Sequence, residues 1–504
     1  MLLFGLLVTW VTPLWLISVG VALGVAVLAV AYLVLLVVAP RAASASVTGV
    51  REGILLPIGY LCLALSAFAV AGVLLVPALP YSALLAAVSR LSIVGPVEVE
   101  VEVPASSHDV KLNDLAPQLG IRLLELNAFT VESDQPVTIV TNIMSNLSQA
   151  LAIRVSPGNS AVWQRPAIGE KDRRAAPDES TATEWIATNV GSTPAKVRIG
   201  ADADIEYPEV RVVPWVAASL VTLVFLYLLA RLALPKISAI ALVTAKEAMA
   251  QPLFYVVLAL GTFSLLAFIF VPYNTFGDDV KMLKDSGLTL IMVLAMIVAV
   301  WSASVSVSEE VEGRTALTVL SKPVARRQFV LGKFLGVLGP VLVLFIVLGT
   351  LFLITVSFKV VYDARETAKT EPAWQLCYLE MIRIVPGLVL AFLETIVLAA
   401  ISVAVSTRLP MLANLIVCAS IYVLGHLVPM LVNSSVGKFE IVRFAGQFIA
   451  TVLPVLDNFN IQAAVAAGAV VPLSYLGMAA LYCALYTTIA ILLGLAMFED
   501  RDLA

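Results

Sequence analysis

Long, uniformly apolar runs divide this chain, and most of the polar stretches between them are short. A helix that crosses a bilayer needs about 20 predominantly apolar residues. Nine runs meet or approach that length: 14–39, 54–76, 212–234, 253–272, 285–307, 334–357, 384–406, 411–432 and 476–498. Residues 1–12 form an uncharged apolar lead-in, expected at the membrane interface. It lacks the basic start and small-residue cleavage site of a removable leader, so the pattern predicts that it is retained. Residues 81–93 are mildly amphipathic and are expected to lie along the membrane surface.

The periodicity changes between about residues 96 and 211. Val97 to Val103 alternates valine with glutamate, the period of a half-exposed strand. Further strand-like runs fall at 137–141, 151–155, 184–189 and 196–199, separated by turn signals such as Ser156-Pro157-Gly158-Asn159. Residues 113–126 have room for a helical turn, and Trp163 and Trp185 read as packing residues. Short strands at this spacing predict a β-sandwich of about 110 residues. The expected fold is therefore an all-α polytopic membrane protein of about nine spans with an inserted, extracytoplasmic β-sandwich-like domain. Its expected divisions are 1–95, 96–211, 212–235 and 236–504.

Composition agrees with this picture. The 504 residues are 60% hydrophobic and 13% charged, against about 25% charged in soluble domains. Cys62, Cys418 and Cys483 fall in apolar runs, and Cys377 stands alone in an expected outer loop, so no disulfide or metal framework is implied. Two distant histidines, His108 and His426, argue against a histidine-based metal site.

Charge is concentrated between Ser308 and Lys333, which hold Glu309, Glu310, Glu312, Arg314, Lys322, Arg326, Arg327 and Lys333. A charge at the bilayer centre costs on the order of 2.5–3.5 kcal/mol even on the lenient insertion scale, so this stretch must reach water. Its five basic residues predict a cytoplasmic loop. The short outer segments hold fewer basic residues, among them Lys281, Lys284 and Lys359. Glu310 and Arg314 are spaced i,i+4 in the favourable order, worth about 0.2–0.5 kcal/mol on a helix. Gly313 suggests a bend, and Pro323 is expected to end the short helix. By charge alone this is an ordinary inner loop whose basic side chains snorkel.

Together, Glu310, Gly313, Thr315, Leu320, Pro323, Arg326, Arg327, Gly332 and Lys333 resemble the cytoplasmic loop of ABC-2 type transporter permeases. The phrase Ala245 to Phe254 resembles the elbow helix before that family's first core span, with Leu242, Ala245, Met249 and Leu253 on one stripe. The resemblance covers about residues 237–504. It implies a six-span core, a coupling helix within 308–333 that docks on an ATP-binding partner, and permeases paired as homodimers or heterodimers. A bacterial inner membrane and an export role follow from the same resemblance.

No phosphate-binding loop occurs here: Gly332-Lys333 is followed by Phe334, and Arg327 stands where the motif begins with glycine. Any ATP must then be bound by a partner, with no cofactor on this chain, and nothing in the sequence suggests nucleic-acid binding. Glu394 lies within an apolar run. Intramembrane carboxylates are functional candidates by default, and the alternatives are a structural hydrogen bond or a protonated carboxyl. His426, near the end of the next run, reads as interfacial packing. A second reading of the whole chain is a non-transporting scaffold or sensor whose β domain binds a partner.

Overall fold

A computed structural model describes residues 2–75, 80–92, 94–122, 125–141, 151–164, 184–271, 279–309, 325–367, 370–433, 444, 448 and 453–499. The chain forms two compact units, one from residues 1–79 with 212–504 and one from 80–211.

The larger unit is helical. Helix α1 (Leu2–Val38) is continuous, so the apolar lead-in belongs to the same helix as the first span, which begins at Val8. It passes through Pro13, and the Ser357 hydroxyl donates to the Trp10 carbonyl nearby at 2.8 Å. Helices α2 (Pro40–Arg51) and α3 (Leu56–Leu75) follow. The second unit begins with α4 (Tyr81–Arg90), whose Leu84 and Ala87 are buried.

That unit holds two four-stranded sheets with antiparallel pairing throughout. Its strands are β1 (Val97–Val103), β2 (Ser107–Lys111), β3 (Leu126–Ser133), β4 (Val137–Thr141), β5 (Leu151–Val155), β6 (Ser160–Gln164), β7 (Trp185–Asn189) and β8 (Ala195–Ala203). Between β2 and β3 lies α5 (Leu112–Leu115). The strand orders are β1-β8-β3-β6 and β2-β7-β4-β5. Val103, Phe129 and Val197 of the first sheet share one apolar cluster with Ile139 and Trp185 of the second. Phe129 lies edge-on to Trp185 at 4.9 Å and stacks on Trp163 at 5.4 Å. Arg90 bonds the buried Glu125 through two nitrogens, one at 2.7 Å. That hydrogen bonding pushes the guanidinium's pKa up further, opposed by its partial burial.

The chain returns to the helical unit through α6 (Val212–Ala233), α7 (Pro235–Ala250), α8 (Pro252–Phe270) and α9 (Asp279–Ala303). Then come α10 (Arg326–Glu366), α11 (Trp374–Ile382), α12 (Val385–Ser406), α13 (Met411–Asn433), α14 (Gln462–Ala466) and α15 (Leu473–Glu499). Among the described residues, eight helices are long and apolar enough to cross a membrane. The ninth expected run, 411–432, coincides with α13, a helix of 23 residues. Cys377 is not in a loop: it is fully buried on α11, against Val360 and Val361.

Small residues set the helix contacts. Gly20 and Gly24 of α1 admit Val213, Val216 and Ala217 of α6. Gly332, Gly336 and Gly339 of α10 form a second stripe against Ile240, Thr244 and Ala245 of α7. A methyl at Gly336 would lie 2.5 Å from the Thr244 Cβ and 2.9 Å from the Ala241 carbonyl. Between apolar helices in lipid no hydrophobic drive remains, so this close backbone approach supplies the attraction. The buried face of α7 is therefore Ile237, Ala241, Thr244, Ala245 and Ala248. This face is rotated from the expected stripe, on which Leu242 and Met249 are only half-buried.

Gly336→Leu is expected to destabilise the helical unit by about 1–3 kcal/mol through overpacking. Gly349→Ala, which meets Leu388 at an ordinary 3.5 Å, should be neutral or mildly stabilising. Thermal unfolding midpoints in detergent compare the two.

Candidate coupling region and intramembrane polar sites

Helix α9 ends in a π-helical turn, Ser304–Glu309. Such turns are rare and recur at functional sites. Glu309 closes the turn, whereas Glu310, Glu312, Gly313, Arg314 and Pro323 lie outside the described residues. The chain resumes at Ala325, whose N–H donates to the Gln328 side chain at 3.1 Å and starts α10.

Arg326, Arg327 and Lys333 thus fall on the first turns of α10, and each meets a different environment. The Arg326 guanidinium donates to the Glu499 carbonyl at 2.8 Å and lies over the Phe498 ring. Arg408, in the turn between α12 and α13, donates to the Met497 carbonyl at 2.6 Å. The last carbonyls of a helix lack intrahelical donors and carry partial negative charge, so these two arginines cap α15. Phe329 stacks on Phe498 at 5.7 Å and reinforces the junction. Arg327 is exposed. Lys333 is only 3% exposed, its Nζ 5.6 Å from the Phe329 ring centroid. It packs inside the protein rather than reaching for headgroups.

A buried polar hub that the sequence pattern did not reveal lies beside the π-turn. The Asn414 Nδ2 is 2.7 Å from Ser304 Oγ, 2.8 Å from Ser402 Oγ and 2.9 Å from Ser406 Oγ. An amide nitrogen has two hydrogens, so three hydroxyls share two donors. The Cys418 thiol donates to Asn414 Oδ1 at 3.3 Å. One fully buried side chain on α13 therefore joins the π-turn and the end of α12.

Charged groups also gather at the other end of α10. A cavity of about 490 Å³ is lined there by Lys281, Lys284, Asp363 and Glu380, among others. Lys284 and Lys359, expected in short outer segments, are each 1% exposed. Lys284 donates to Glu380 at 2.6 Å, and Lys359 donates to the Ile269 carbonyl at 3.0 Å. Asp279, Asp363 and Glu366 converge closely enough to share a cation. However, the Lys359 ammonium already sits 3.8 Å from Asp279. Glu394, on α12, is fully buried, and His426 of α13 faces it at 3.4 Å.

Comparison with known families decides what this helical unit is. The family model described as ABC-2 family transporter protein matches residues 215–503. The chain belongs to the ABC-2 transporter family. Among curated proteins, none matches this sequence. The matched range takes in α7 through α15, and it includes both the α10 start and the Asn414 hub. Its apolar helices and this membership make the ABC-2 permease a multi-pass membrane protein with a transport role, not a catalyst by itself.

Asn414→Leu in this permease should cost about 1–3 kcal/mol, because buried hydroxyls lose their shared donor. The readout is a lowered thermal midpoint. Ser420→Ala, on the exposed side of the same helix, should leave the midpoint unchanged.

Proposed function

We propose that this permease is the membrane subunit of an ABC exporter and that a separate ATP-binding-cassette subunit drives it. The observation that carries the reading is the family match over residues 215–503. The sequence agrees, since it lacks a P-loop. In this reading ATP is bound by the partner and this chain holds no cofactor of its own. ABC-2 permeases work with an ATP-binding subunit. Here that subunit would engage the 308–333 stretch, with Glu309, Glu310, Glu312, Gly313, Arg314, Pro323, Arg326 and Arg327 forming or supporting the contact. Arg326 and Phe329 tie that stretch to the end of α15, so motion of the partner would reach two core helices at once. Two permeases, identical or different, would enclose the path for cargo. The membrane is the inner membrane, the 308–333 loop is cytoplasmic, and residues 96–211 are extracytoplasmic.

Two experiments test the reading. Charge reversal at Arg326 and Arg327 should lower partner-stimulated ATP hydrolysis and partner pull-down several-fold. Unchanged values would refute the coupling assignment. Lys322→Cys, in a chain whose four native cysteines are replaced, should react with an impermeant thiol reagent only from the cytoplasmic side. Labelling from outside alone would overturn both topology and coupling.

The two-sheet unit supports a second reading, a membrane scaffold or sensor that binds a partner through residues 96–211. A neighbouring gene for an ATP-binding cassette favours the exporter, and its absence favours the scaffold.

A further inference from the structure

Glu394 lies nine residues into α12, about 14 Å along its axis. Its side chain is fully buried, and neither carboxyl oxygen has a hydrogen-bond partner among the described residues. An isolated carboxylate in such a place would be strongly disfavoured. His426 of α13 is the nearest group able to answer it, with Nε2 3.4 Å from Glu394 Oε1.

The other nitrogen of the same ring fixes the proton count. His426 Nδ1 is 3.0 Å from the Tyr422 carbonyl oxygen. A carbonyl only accepts, so Nδ1 must carry a hydrogen. In a neutral ring Nε2 is then a bare lone pair, and it faces a carboxyl oxygen. With no proton between them, two lone pairs would oppose each other in a buried site. With two, the imidazolium could donate to the acid's carbonyl oxygen, but the site would bury a net positive charge. One proton satisfies the geometry, either as carboxylic acid donating to Nε2 or as carboxylate facing imidazolium.

We infer that Glu394 and His426 form a binding site for a single proton, buried between α12 and α13. The neighbourhood suits that ligand. A proton needs no cavity, and Glu394 is enclosed on all sides. The His426 side chain is 20% exposed, so it is the member of the pair through which a proton enters or leaves. Other titratable groups on the surrounding elements are Tyr422 on α13, Asp457 in the 456–459 turn, and Tyr482, Cys483 and Tyr486 on α15. Asp457 and Tyr422 interact electrostatically with Glu394. The Tyr482 hydroxyl is held by the Val455 N–H, and the Cys483 thiol donates to the Leu393 carbonyl. Helices α9 and α10 present Leu288 and Phe345 to α12. Loss of the proton would set lone pair against lone pair across the α12–α13 contact, so occupancy of the site bears on how closely these helices pack. This inference stands apart from the exporter reading, because it concerns only the pair and its proton.

The chain has two histidines, so His108→Gln leaves His426 as the sole histidine. The full-length protein, labelled with 15N-histidine and placed in lipid nanodiscs, gives the protonation of both ring nitrogens by NMR. Infrared difference spectra give the carboxyl state of Glu394, assigned by its loss in Glu394→Gln. The expected result at pH 7 is a protonated Nδ1 and one further proton on the pair, with both signals changing together when that proton is removed. A bare Nδ1, a carboxylate beside a neutral ring at pH 7, or a second proton would each overturn the inference. Should Glu394→Gln fail to fold, the proton count in the chain carrying native Glu394 still decides it.

Discussion

Within lipid no water is available to satisfy a polar group, so each one must find its partner inside the protein or bear the full cost of desolvation. That constraint explains the polar contacts of the helical unit better than any sum of their strengths. Asn414 gathers three hydroxyls. Trp301 donates to Gln251 at the start of α8, and Thr289 donates to Gln462 of α14. Lys284 and Lys359 meet Glu380 and a backbone carbonyl in the interior. The open carbonyls at the end of α15 are met by Arg326 and Arg408. Glu394 has no such hydrogen-bond partner among the described residues.

The same constraint shapes apolar packing. Hydrocarbon solvates leucine as well as another leucine does, so helices associate where small residues let backbones approach. The Gly20 and Gly24 contact and the longer Gly332–Gly339 stripe both meet that condition. The second stripe and the arginine caps occupy the same stretch of α10. The start of this helix is therefore held on one side by α7 and on the other by α15. Binding a partner there would act on a junction of three helices.

Hydropathy made the spans legible because it registers the length of an apolar run and little else. It placed α3, α6, α8 and α12 within a few residues. It could not show that α10 continues well past its apolar centre, since polar side chains are welcome on a helix once it leaves the lipid. Nor could it reveal the Asn414 hub, whose partners Ser304, Ser402 and Ser406 come from separate stretches and look unremarkable in sequence. Strands β1, β4, β5, β7 and β8 announced themselves by alternation or turn signals. Strands β2, β3 and β6 fall outside the strand-like runs, and edge position does not account for this, since the edge strand β1 alternates strictly while β3 lies between β8 and β6. The π-turn left no signal, because its residues are ordinary and its register depends on what packs around it.

At 41 residues, α10 is about 60 Å long, twice the thickness of the hydrocarbon layer. Its glycine stripe is centred at Gly336, about 15 Å from the Arg326 end and about 45 Å from the Glu366 end. The stripe therefore fixes α10 nearer its Arg326 end, and Pro340 inside the helix interrupts its hydrogen-bond ladder just beyond the stripe.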